Sequence, residues 1–121
     1  MNEFETKALA GDWRAASMVL SRAHVRPEVL AALMTPDAHL EVVLGVLGRQ
    51  DVTPEHLAWA ATFDNALILG RVVSNPKTPT SLVREIRDRV ADRDAHIWIH
   101  LREYAARVLD RTARDSGLHG G

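Results

Sequence analysis

The sequence predicts an all-α chain, a short solenoid of about three degenerate two-helix repeats closed by a long C-terminal capping helix. Three observations carry this expectation. No segment alternates apolar and polar residues with the period of two that a half-buried strand needs. Apolar residues recur instead at helical spacing in one segment after another. Pro27, Pro54 and Pro79, spaced 27 and 25 residues apart, each stand three residues before a leucine (Leu30, Leu57, Leu82). Periods of that size mark stacked helical pairs, in which each unit buries its apolar face against its neighbours.

Asn2 can cap a first helix over Glu3–Ala10 that contains Phe4 and Leu9, and Gly11 closes it. Asp12 caps a second helix to Ala23, with Ala15, Ala16, Val19 and Leu20 on one stripe. Pro27 lacks an amide hydrogen and disfavours helix in the residue before it, so it ends that helix and starts the next, which carries Val29, Leu30 and Leu33. Thr35 is the expected N-cap of a helix over Asp37–Leu47, its stripe Leu40, Val43, Leu44 and Leu47, its end weakened by Gly45 and Gly48. Thr53-Pro54-Glu55 opens a helix with Leu57, Ala60 and Ala61. Asp64 or Asn65 caps the next, with Leu67, Ile68, Val72 and Val73. Thr78 is expected to cap Pro79–Ala91, with Leu82, Val83, Ile86 and Val90 inward. Asp92-Arg93-Asp94 then separates the last helix, about Asp94–Arg114, whose face is Ile97, Leu101, Tyr104 and Val108 with Trp98, Ala105 and Leu109. One helical-repeat domain over residues 1–115 and a disordered tail over 116–121 are expected, since the tail has too few apolar groups to offset the entropy of ordering.

Composition narrows the chemistry. A chain of 121 residues is long enough for its own core. The absence of cysteine excludes disulfides, a thiolate nucleophile and cysteine-ligated zinc or iron–sulfur clusters. Fifteen basic against 16 acidic residues leave no net field to draw nucleic acid or anionic lipid. Only Lys7 and Lys77 are lysines, a bias that points to a GC-rich genome of bacterial or phage origin. The first residues have neither the basic start nor the apolar run of a signal peptide, and no stretch reaches the roughly 20 apolar residues of a membrane span, so a cytoplasmic location is expected.

The segment Asp64–Asp88, with Leu69-Gly70-Arg71-Val72-Val73-Ser74-Asn75-Pro76-Lys77-Thr78-Pro79 and then Leu82, resembles the variant leucine-rich repeat, a bacterial relative of HEAT and armadillo repeats. Members of that family carry an apolar helix, an Asn-Pro-x-Thr-Pro turn and a following leucine. The likeness covers about residues 12–91 but is degenerate elsewhere: Arg26-Pro27 keeps only the second proline, and Thr53-Pro54 keeps Thr-Pro. The resemblance implies a right-handed α-solenoid that binds other macromolecules. The cysteine-rich iron–sulfur segment of some members is absent.

Trp59 is the expected partner-binding anchor. Its counterparts five residues after the other leading prolines are Ala32 and Arg84, a set no packed core position accepts. Trp59 and Arg84 then share a ladder, with His56 and Arg71 near it. His96 and His100, four apart on a helix, can face one metal with Glu103 as a third ligand. The reading adopted is that they flank an apolar face, with no metal and no cofactor. No nucleophile elbow or phosphate loop occurs, and Asp92 and Asp94 are read as caps, so no enzyme is expected. The arginines of the C-terminal third, Arg84 to Arg114, are interleaved with acids and read as a solvated face, which leaves a HEAT-like nucleic-acid clamp as the alternative to a protein-interaction module. So few repeats also leave an apolar end that a second copy can cover, giving a homodimer.

Overall fold

The computed structural model describes the backbone of residues 3–120, with side chains except those of Phe4 and residues 115–120. Among the described residues it is all-helical, with eight helices and no strand. The expected roles of Asn2 and Phe4 lie outside the described residues. The chain divides into two compact units, Met1–Thr62 and Phe63–Gly121.

The first unit holds α1 (Glu3–Leu9), α2 (Trp13–Leu20), α3 (Pro27–Leu33), α4 (Leu40–Leu47) and α5 (Pro54–Ala60). Helix α1 packs on α2 and α3, α2 on α4, and α4 on α5. The link from α1 to α2 is very short because Gly11 adopts φ +103°, where a Cβ is strained. Its N–H donates to the Ala8 carbonyl at 3.2 Å and that of Asp12 to Lys7 at 3.0 Å, the paired bonds of a Schellman end. Asp12 at once caps α2, its Oδ1 accepting from the N–H groups of Arg14 (3.0 Å) and Ala15 (3.2 Å).

In the second unit α8 (His96–Gly120) packs on both α6 (Ala66–Ser74) and α7 (Thr80–Arg89), which also touch each other. The last helix thus continues past Arg114, where the sequence reading ended it. Its inward face is narrower than expected: Leu101 and Ala105 are buried, whereas Ile97 is 57% exposed and Tyr104 lies on the surface. The Asn75–Pro79 turn also departs from expectation. The Thr78 hydroxyl donates back to the Val72 carbonyl and closes α6, so α7 starts at Thr80 with Pro79 as an N-cap that has no side-chain bond.

Counting from the N-caps instead of the prolines brings out a stricter periodicity. Helices α2, α4 and α6 are capped by Asp12, His39 and Asn65, spaced 27 and 26 residues apart. Helices α3, α5 and α7 follow N-caps Arg26, Thr53 and Pro79, again 27 and 26 apart and each 14 after the preceding cap. In every first helix the third, fourth, seventh and eighth residues after the cap are buried: Ala15, Ala16, Val19 and Leu20; Val42, Val43, Val46 and Leu47; Ile68, Leu69, Val72 and Val73. In every second helix the fourth and seventh are buried: Leu30 and Leu33, Leu57 and Ala60, Val83 and Ile86. Burial of each large side chain stabilises by about 1.5–3 kcal/mol, so the recurrence fixes where the core lies. It also corrects three expectations. α4 opens at His39, not Thr35, whose carbonyl instead receives the indole N–H of Trp59 at 3.0 Å. Leu40 and Leu44 are half-buried because Val42 and Val46 take the inner face, and Leu67 is 48% exposed because Leu69 does.

Asp12→Ala and Asn65→Ala each remove a side-chain acceptor from two orphan N–H groups and are expected to cost about 1 kcal/mol in urea denaturation.

Candidate functional site

Polar side chains close the ends of the helices before any surface is left for a partner. Arg49, just beyond α4, has a side chain only 6% exposed. Its Nη1 donates to the carbonyls of Leu20 and Arg22, both at 2.8 Å, and its Nη2 to that of Ala23 at 3.5 Å, which ends α2 at Leu20 where the sequence reading ran it to Ala23. The other edge of the guanidinium grips Asp51 through Nε (2.8 Å) and Nη2 (2.9 Å). In the second unit Arg102 does the same for α7, donating from Nη1 to the carbonyls of Val90 and Ala91. Glu5 completes the first unit by receiving Arg22 (3.4 Å) and Arg26 (2.6 Å).

The hydrogen bond from Arg49, and then its charge, hold the Asp51 carboxyl below its ordinary value of 3.8. A depressed carboxyl stabilises the fold above its unfolded value, and that contribution is lost as pH falls through the folded one. The Asp51 contribution is therefore expected to be constant from pH 7 to 5 and to disappear only below about 4. Asp51→Asn is expected to remove this part of the acid slope in pH-dependent urea midpoints.

Clefts open on the first unit, among them one of about 440 Å³ over Leu9, Trp13, Ala32 and Asp37. A larger one, about 950 Å³, runs between α2 and α4 over Ser17, Ser21, Gly45 and Gly48, but Arg22, Arg49 and Asp51 at its edge are committed to partners within the chain. Another, about 530 Å³, opens between α3 and α5. One wall is apolar: Val25, Pro27, Leu30, Ala31 and Met34. The other carries Asp51, Thr53, Glu55 and His56. Thr53 and His56 are fixed by a capping box, the Thr53 hydroxyl accepting from the His56 N–H at 3.3 Å and His56 Nδ1 from the Thr53 N–H at 3.1 Å. A rigid polar edge opposite an open apolar wall is the composition of a recognition cleft.

Of the residues the sequence singled out, His56 lines this cleft. Trp59, one turn further on α5, is half-buried against the core of the first unit and held by its bond to Thr35. Arg71 in α6 and Arg84 in α7 are exposed and belong to the second unit. Counted from the N-caps, the residue of α7 in the place of Trp59 is Glu85, while Arg84 matches Ala58. Among the C-terminal arginines, Arg87 pairs with Asp88, Arg93 with Asp64 and Arg114 with Asp110. Arg93 also lies over Trp98 at 4.4 Å and Arg107 over Tyr104 at 5.7 Å. His96 and His100 stack with centroids 5.7 Å apart, and among the described residues no three His, Asp or Glu side chains converge as a metal site. No helix among them is long and apolar enough to cross a membrane.

The chain matches no family model, no curated protein and no solved structure at a significant level. The functional reading therefore rests on the chain's own residues. Sequence reasoning missed Val25, Met34 and Arg49. The first two follow no helical stripe, and the third binds carbonyls as many as 29 residues away.

Proposed function

We propose that the protein is a non-catalytic protein-interaction module. Its three cap-to-cap helical pairs form a short right-handed α-solenoid like that of the variant leucine-rich repeats, with α8 as its cap and the α3–α5 cleft as its partner-binding surface in the cytoplasm. The observation that carries this reading is the open apolar wall of Val25, Pro27, Ala31 and Met34 facing the ordered edge of α5. Side chains of this kind exclude water when a partner covers them, and a fixed polar edge sets its orientation. The repeated burial pattern supports the architecture, since equivalent positions recur at 27 and 26 residues in both helices of each pair.

The test is affinity capture from host cells, followed by binding measurements with the purified prey. Met34→Glu, which places a charge on the apolar wall, is expected to weaken the complex by at least about tenfold. Met18→Glu, at an exposed residue of α2 that does not line the cleft, is expected to leave it unchanged. A prey that ignores Met34→Glu contradicts the assignment of the cleft.

A further inference from the structure

The charge around the α3–α5 cleft is one-sided. Asp51 and Glu55 line it, and no lysine or arginine does. Arg26, the nearest basic residue in sequence, is turned to Glu5 at 2.6 Å and to Glu28 at 3.8 Å. Arg49 holds both oxygens of Asp51, so the charge that reaches the rim is that of Glu55, exposed at the first turn of α5. Opposite stand Val25, Pro27 and Met34, which can receive an apolar side chain. From this juxtaposition we infer that the cleft takes a segment of a partner protein in which a long apolar side chain is flanked by arginine or lysine, the apolar group on the α3 wall and the cation at Glu55. The inference rests on the reading of the cleft as an interaction surface and deepens it by naming the partner's chemistry.

Complementary rim charges govern partner choice and association rate, and they are screened by salt. An acidic flank at the same place meets the Glu55 carboxylate and is disfavoured.

Panning random displayed peptides against the immobilised full chain tests the inference. The enriched sequences are expected to share an apolar residue next to arginine or lysine. A representative synthetic peptide is expected to lose about tenfold in affinity against Glu55→Lys, to weaken as salt rises from about 50 to about 500 mM, and to lose binding to Met34→Glu. Circular dichroism spectra matching the parent show that both variants remain folded. Enriched peptides that need Met34 but carry no basic residue, or that bind Glu55→Lys undiminished, overturn the basic-partner inference and leave the interaction surface standing. Peptides indifferent to Met34→Glu, or no enrichment, overturn both.

Discussion

Arg49→Ala lowers stability by about 2–4 kcal/mol, read as a fall in the urea midpoint. One guanidinium serves three carbonyls at the end of α2 and a carboxylate beyond α4, and its side chain is almost wholly withdrawn from water. Hydrogen bonds from charged donors stabilise by more than neutral ones, and an acceptor left without a partner adds its own desolvation cost. Water can reach part of the Arg22–Ala23 turn, which keeps the loss at the scale of two such bonds and not five. Arg49→Lys keeps the charge but has no planar fork, so it is expected to recover less than half of the loss. A change below about 0.5 kcal/mol for the alanine variant would mean that the arginine is only a surface ion-pair partner.

Leu69→Ala costs about 2–5 kcal/mol, whereas Leu67→Ala, two residues away on the same helix, costs about 0.5 kcal/mol or less. Leu69 is fully buried, in the fourth place after the Asn65 cap, and truncation leaves a cavity that the surroundings fill only partly. Leu67 occupies the second place, which is exposed in all three first helices as Arg14, Glu41 and Leu67. Thermal or urea unfolding of the two variants side by side decides the register. Equal losses would place the inner face of α6 elsewhere.

That pair of leucines shows how far the sequence was legible. Proline and aspartate act locally: a ring without an N–H, a carboxylate within reach of two N–H groups. They marked the starts of α2, α3 and α5 without tertiary information. Runs such as Leu67-Ile68-Leu69 are apolar throughout, so periodicity alone cannot choose the inner pair, and the cap had to be known first. Thr78 illustrates the same limit. A threonine before proline can cap forward, as Thr53 does, or turn back to the previous helix, as Thr78 does, and the Asn75 turn before it decides. Because Pro79 is then an N-cap and Pro54 a first helical residue, proline counting slips by one and sets Arg84 where Glu85 belongs. The cleft was half visible through His56, Pro27 and Leu30, but Val25 is a loop residue and Met34 stands at a helix end, which no stripe announces.

Duplication of residues 39–64, from the His39 cap to the residue before the Asn65 cap, tests most directly the claim that the chain is built of interchangeable helical pairs. In a stacked-repeat protein stability is close to a sum of unit and neighbour terms, so an inserted unit finds the neighbours it was shaped for. The lengthened chain is expected to keep the parent's helical circular dichroism per residue and to unfold cooperatively at or above the parent's midpoint. A fall in helicity in proportion to the added length, with the parent's midpoint unchanged or lowered, would show that the second pair does not fit beside a copy of itself and would contradict the repeat account.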